Sequence, residues 1–458
     1  TETRYIMAKR SDIHFSIFYF LLCMAVASLP FTIFLMLPIA ILIFLNWLVE
    51  GNFKTKFSRL RQEPLRAVAF SLLLIFFLLH AFSLIYSHNV AETLSNLECK
   101  MWFLLMPLTL LTADSEKFNN SKIENLLLLF TFSSACVALI NLVWSGVLWS
   151  QNDFQNFYHY FYYVKVSHLL PSHPTHPSYL AMYMTIASFI TLYFLFLSQR
   201  FSGVKQILKW GLLFLVVLFS IFIFLLQSKA GLLIYFPLLL LVSVYLLNRR
   251  KKRIFVTISA VFAVVTLSFV ILSSSSGYGN RLKLAYEDFF NRKNEDIGNQ
   301  HGVGMRFAVW DNSLEVFKEH FWIGVGAGDV VDYLLDAYED DDLDLVVQKA
   351  YNSHNQYLQT SVGLGICGLL SLLSILIWTL FWALRKRSFL LLLFLVVVAL
   401  NLLVESMFET RAGADFFPLL YSILIFPFFQ NRKIGNQISN SSPNSAEILN
   451  QNDCHSKL

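Results

Sequence analysis

Charged residues are scarce in this 458-residue chain: Asp, Glu, Lys and Arg make up 14% of it, against 56% hydrophobic and 16% aromatic residues, 45 of them phenylalanine. A soluble domain of this length cannot cover its surface with so few charges, so a water-soluble core is excluded. Cysteine is scarce too. The five, Cys23, Cys99, Cys136, Cys367 and Cys454, are odd in number and scattered, with three inside apolar runs, so neither a disulfide framework nor a zinc site is suggested. They read as small core residues.

What is present instead is a series of apolar blocks, each of about the 17 to 25 residues that a helix needs to cross roughly 30 Å of hydrocarbon. They fall at 14–30, 31–50, 66–86, 100–113, 123–145, 178–198, 210–227, 230–247, 254–273, 354–384, 388–404 and 412–429. This predicts an all-α polytopic membrane protein of about twelve transmembrane helices. The domain order is a cytoplasmic N-terminus at 1–13, spans one to nine over 14–273, a large loop at 274–353, spans ten to twelve over 354–429 and a cytoplasmic tail at 430–458. Residues 1–6, ahead of Met7, read as a non-native addition, no cleavable signal peptide is evident, and the tail, rich in Asn, Ser and Gln, reads as disordered.

Lysine and arginine test the topology, because short cytoplasmic loops hold an excess of them. With both termini inside, 24 of the 35 fall on the cytoplasmic side, including the run RRKKR at 249–253. The net charge of +5 is therefore flanking charge that faces anionic lipid headgroups, with no reason to invoke nucleic acid. Two outer segments are long enough to build a site: 146–177, ending in SHPTHPSY, and 274–353, with 15 acidic against 7 basic residues. Within the second, RLKLAYEDFF, MRFAVWDNSLEVFKEH and DVVDYLLDAYE read as amphipathic helices over the membrane, the middle one with Phe307, Trp310, Leu314 and Phe317 on one face.

His354 is the leading candidate for chemistry. Ser353-His354-Asn355-Gln356 precedes a long apolar run with capping-box spacing, which puts His354 in a first helical turn, where the positive helix end favours a neutral, proton-accepting ring. The alternative is an interfacial histidine bound to a backbone carbonyl. Arg306, one turn before Trp310, suits bidentate phosphate binding if the ring orients it, or else makes a surface salt bridge. Lys229 stands between two apolar runs, either snorkelling or binding an anion. Glu409 and Arg411, in ESMFETRAGADFF with Glu405, either pair with each other or address a polar substrate. His173 and His176 flank prolines in an extended loop with no nearby carboxylate or cysteine to complete a metal site. Gly324 to Gly328 reads as a flexible turn, Glu339 to Asp342 as a solvated face, and Gly363, Gly365 and Gly368 as permitting close helix packing.

Taken in order, Arg306 with Trp310, FWIGVGAGD, then SHNQYLQTSVGLGICG resemble the O-antigen ligase and polymerase family of bacterial envelope glycosyltransferases, in which a His-Asn-x-Tyr-Leu motif opens a span. HPSYLA and ESMFETRAG look like variants from the ligase branch, and the motif-level similarity covers roughly 173–415. The family usually has a Ser-Arg pair where this chain has Ser228-Lys229, which keeps the charge and loses the guanidinium fork. The resemblance implies a GT-C-like architecture in the inner membrane with the site facing the periplasm. It implies that His354 is the essential histidine, that Arg306 and Lys229 hold pyrophosphate, and that Trp310, Asn355 and Tyr357 border the substrate. It further implies an undecaprenyl pyrophosphate-linked glycan as donor, lipid A-core or another glycolipid as acceptor, and inverting transfer without cofactor or metal. O-antigen polymerase and protein oligosaccharyltransferase remain open within the family. A transporter or lipid flippase would need ionisable residues near the midplane, broken helices or two repeated halves, none of which is legible.

Overall fold

The computed structural model describes residues 2–151, 176–201, 203, 205–226, 228–248 and 303–429. The expected ninth span at 254–273, the helix over 281–290, His173 and the tail lie outside the described residues. Among the described residues every regular element is helical. In chain order these are α1 (Glu2–Ser28), α2 (Met36–Glu50), α3 (Phe53–Gln62), α4 (Pro64–Phe82), α5 (Val90–Cys99), α6 (Met101–Thr109), α7 (Asn120–Gln151) and α8 (Pro177–Phe196). There follow α9 (Gln206–Leu225), α10 (Lys229–Asn248), α11 (Val303–Glu319), α12 (Val330–Asp340), α13 (Asp344–Lys349), α14 (Gln356–Arg385), α15 (Phe389–Val404) and α16 (Arg411–Ile425).

Seven of these are long and apolar enough to cross a membrane: α1, α4, α7, α8, α9, α10 and α14. Four more expected spans are helical but shorter, with 15 residues in α2, 9 in α6, 16 in α15 and 15 in α16. At about 1.5 Å per residue, α6 alone reaches less than half of the roughly 30 Å that a crossing requires. Cys367 is exposed, contrary to its reading as a core residue.

The centre of the bundle is α8, the most buried of the seven, enclosed by α7, α9, α10 and α15. Its sequence is apolar on every face, with Ala181, Ala187 and Ser188 letting neighbours approach. Without water, its hydroxyls must find partners: Tyr235 of α10 bonds Ser188 at 2.9 Å and Ser220 of α9 at 2.7 Å, which ties three helices together. At one end the basic loops meet, where Lys117 pairs with Asp12 at 2.7 Å, Arg59 with Asp114 at 2.8 Å and Arg200 with Glu124 at 3.8 Å. The start of α14, the starts of α8 and α10, and the linker from α15 to α16 lie at the other end.

The segment 324–329 is a turn, and the close packing expected of the α14 glycines is observed, although against that turn and not only against a helix. α14 is interrupted at Gly365, whose φ of +63° and ψ of −158° belong to a region that only glycine occupies readily. The interruption frees backbone groups, and the segment 321–326 satisfies them. Val325 and Gly326 donate to the carbonyls of Val362 and Gly363 at 2.9 and 3.0 Å, while Ile366 donates to Phe321 at 2.8 Å. Gly324 is packed against the backbone of Gly363, so the glycines permit contact between two backbones instead of mobility. Asp329 then accepts the N–H groups of His88 and Asn89 at 2.7 and 2.6 Å, fixing the loop to the start of α5.

α11 lies across the start of α14, with Trp310 and Phe317 of the expected face partly buried against the cluster it helps to form. Its buried side is Met305, Val309, Asn312, Ser313 and Val316, and Leu314 is exposed. The aromatic stripe is shifted because the polar pair Asn312–Ser313 is satisfied inward, by Asp341 at 2.7 Å and Ser353 at 3.0 Å.

A Cβ at Gly365 would run into the carbonyl of Trp322 in addition to the backbone strain, which alone costs on the order of 1–3 kcal/mol. Gly365→Ala is expected to lower the unfolding temperature in detergent by several degrees, whereas Gly211→Ala, where the space is open, is not. Equal stability of the two variants would contradict the role given to the break.

Candidate active site

α15 ends at Val404, and the chain leaves it extended at Glu405. This carboxylate is the convergence point. It is 8% exposed, and its Oε1 accepts hydrogen bonds from Ser178 Oγ at 3.1 Å and from Arg306 Nη2 at 3.3 Å. Its Oε2 faces His354 Nδ1 at 3.7 Å, which is ion-pair range and longer than a hydrogen bond. Ser178 in turn accepts from Ser228 Oγ at 3.3 Å. The starts of α8, α10, α11 and α14 are thereby gathered on the end of α15.

His354 is in this cluster, but not in a helical turn. The cap is two residues later than expected: Asn355 Oδ1 accepts the N–H groups of Tyr357 and Leu358 at 3.0 and 3.3 Å, and the helix begins at Gln356. Gln356 makes no capping box, because its Oε1 accepts instead from the Phe408 N–H at 2.6 Å. His354 itself has φ +43°, uncommon for a residue with a side chain, and is held there by its N–H to Asn352 Oδ1 at 3.0 Å and by the Tyr351 ring.

Arg306 reaches the cluster from the first turn of α11. Its guanidinium turns to Glu405 and not to Trp310, whose ring packs edge-on against Phe307 at 5.6 Å. Lys229 is exposed at the first position of α10, directly after Ser228. His176 caps α8, its Nδ1 accepting from Ser178 N–H at 3.4 Å, and it is one of the neighbours that lower the Glu405 pKa.

Other expected site residues serve the scaffold. Asn355 is consumed by capping. Tyr357 sends its hydroxyl to the Ala399 carbonyl at 3.1 Å, away from the cluster. Glu409 and Arg411 do not pair with each other: Glu409 meets Lys100 at 2.8 Å and Arg411 meets Glu98. Glu405, Ser178 and Ser228 are the residues that sequence reasoning missed. The available signal was an acid closing an otherwise uncharged apolar run, a position that is costly without partners.

The charge state follows from the geometry. Burial would raise the Glu405 pKa, but the neighbouring His354 ring, the Arg306 guanidinium and His176 outweigh it, so the carboxyl is held below its ordinary value and is anionic at neutral pH. Arg306 and His354 keep 31% and 23% of their side chains exposed, so both open toward solvent from an anchored base. An imidazole whose Nδ1 faces a carboxylate presents Nε2 as a proton acceptor, and a guanidinium held by one edge retains N–H groups for another anion. Among the described residues, no three His, Cys, Asp or Glu side chains group as a metal site would.

Residues 214–373 match the family model described as O-antigen ligase. This match over 214–373 supports the O-antigen ligase superfamily. The matched segment contains Ser228, Lys229, Arg306, Trp310, His354, Asn355 and Tyr357, whereas Ser178, His176, Glu405, Glu409 and Arg411 lie outside it. The motif resemblance over 173–415 is thus matched in its middle part, without HPSYLA or ESMFETRAG. No curated protein matches the chain.

Because the folded Glu405 carboxyl binds its proton less readily than an unfolded one, the unfolded chain takes up more protons as pH falls. Its contribution to stability is full above the ordinary glutamate value of 4.5 and is lost as pH falls through the depressed folded value. Thermal unfolding measured between about pH 6 and pH 3.5 should therefore steepen in wild type below about pH 4.5 and be shallower in Glu405→Gln. Identical acid slopes would mean that Glu405 is not held as an anion.

Proposed function

We propose that this protein is an O-antigen ligase, which moves a glycan from undecaprenyl pyrophosphate to a hydroxyl of lipid A-core at the periplasmic face of the inner membrane. The observation that carries the reading is the meeting of His354 and Arg306 on Glu405, inside and beside the matched family segment. In the reaction the acceptor oxygen attacks the anomeric carbon while the bond from that carbon to the pyrophosphate oxygen breaks on the opposite face, with inversion. His354 Nε2 takes the acceptor proton, and Glu405 on the Nδ1 side stabilises the imidazolium that forms.

The departing pyrophosphate carries away the bonding electron pair, and Arg306, with Lys229 at the rim, faces the growing negative charge. At 3.7 Å the His354–Glu405 contact tightens by less than an ångström when substrate is bound, as catalytic contacts commonly do. Phosphate charge is met by side chains throughout, so a divalent ion is not required.

Purified protein incubated with undecaprenyl pyrophosphate-linked glycan and lipid A-core should attach glycan to lipid A-core with chelator present or absent. His354→Ala should lower turnover by at least about 100-fold, and Arg306→Lys should lose most activity despite keeping its charge. Full activity in His354→Ala overturns the role of the base, a lengthening polyprenyl-linked ladder makes the protein a polymerase, and substrate uptake by proteoliposomes without a glycan product makes it a transporter.

A further inference from the structure

The linker that carries Glu405 also carries a second carboxylate that the chemistry above does not use. Glu409, with 15% of its side chain exposed, lies where four segments meet. Its Oε2 accepts from Lys100 Nζ at 2.8 Å and its Oε1 from Gln356 Nε2 at 3.0 Å. Lys100, with no exposed side-chain area, also donates to Asn96 Oδ1 at 3.0 Å, and the Asn96 amide donates to the Ala327 carbonyl at 3.0 Å. His80 of α4 is the further titratable group facing this pair, and its own Nδ1 is bonded to the Phe76 carbonyl at 2.8 Å.

From this ion pair the bonding runs directly to the site. Phe408 N–H donates to Gln356 at 2.6 Å, and Asn355 N–H donates to Ser406 Oγ at 3.2 Å, so the start of α14 and the linker are fastened side by side. His354 precedes Asn355 on one strand of this fastening, and Glu405 precedes Ser406 on the other. The linker itself is a tight turn, with Met407 N–H on the Glu405 carbonyl at 2.8 Å and Glu409 N–H on the Ser406 carbonyl at 3.1 Å. A shift at Glu409 is therefore transmitted to Glu405.

We propose that the Lys100–Glu409 pair, in which the ammonium is fully buried, is a positioning clamp that sets Glu405 against His354 and Arg306 without touching substrate. The proposal rests on the reading of His354 as the base for its catalytic part, while the clamp itself is a matter of structure. A well-packed apolar pair would serve stability equally well, because desolvating two charges offsets most of their attraction. What the charged pair adds is direction: three donors and acceptors with fixed angles lock the junction into one arrangement.

Removing one charge alone would strand the other in the interior, so the test neutralises both. In full-length Lys100→Met/Glu409→Gln protein in detergent, amide hydrogen exchange over 353–358 and 405–410 should accelerate together by about tenfold or more, with α8 unchanged. Turnover of polyprenyl pyrophosphate-linked glycan should fall about tenfold or more while the donor KM stays within about threefold, since the clamp orients the base more than it binds the donor. Unchanged exchange in either segment, or unchanged turnover with both segments loosened, overturns the clamp. If wild type transfers no glycan, the enzymatic reading fails by itself, and the exchange rates still decide whether the pair holds the two segments.

Discussion

One buried anion organises one end of this helical bundle. Glu405 lies where the apolar helix α15 ends, 8% exposed, and a carboxylate so placed loses several kcal/mol of hydration unless donors surround it. The donors come from segments remote in sequence: Ser178, 227 residues earlier, and Arg306, 99 residues earlier. Ser228 is drawn in through Ser178. Satisfying one charge therefore brings together a cation, an imidazole and two hydroxyls that no local sequence would assemble. The same satisfaction leaves the cation and the imidazole partly open to solvent, so the demands of folding create the surface to which the proposed chemistry is assigned.

The second constraint is that backbone groups near the hydrocarbon must be bonded. α14 breaks at Gly365, and the resulting loose carbonyls and N–H are met by the backbone of 321–326. This contact, with Asp329 on the N–H groups of His88 and Asn89, holds the outer helices α11 and α12 to the bundle. Arg306 and His354 are placed by the two sides of that junction. The angle at which α11 crosses α14 thus depends on two glycines with positive φ, Gly324 and Gly365, as much as on apolar packing.

Much of this was legible in the sequence, and the failures have physical causes. Hydropathy located the helices, since α8, α10, α14 and α15 each begin within two residues of their expected starts. The N-cap of α14 was misplaced because Ser353 and Asn355 both precede a helical pattern, and Ser353 is diverted to Ser313, a partner 40 residues away. The buried face of α11 was misjudged because an amphipathic count scores Asn312 and Ser313 as outward, whereas tertiary bonds turn them in. His354 and Arg306 were singled out by residue type and motif, and the fold brings both to Glu405. Glu405 was not singled out, because its meaning lies in long-range partners, and spacing within ESMFETRAG pointed instead to Glu409 with Arg411.

The two glutamates of that linker show what separates a scaffold charge from a chemical one. Both are anionic by the same balance: burial raises the pKa of each, and cationic or hydrogen-bonding neighbours lower it further than burial raises it. Glu409 spends its oxygens on Lys100 and Gln356, both buried, in bonds of 2.8 and 3.0 Å that leave nothing to exchange. Glu405 faces partners that are longer and partly exposed, at 3.3 Å to Arg306 and 3.7 Å to His354. A closed pair cannot rearrange without breaking, while in the proposed reaction the looser one tightens on the imidazole as the donor's anion shares the guanidinium. Four residues apart, one carboxylate is fixed so that the other can be available.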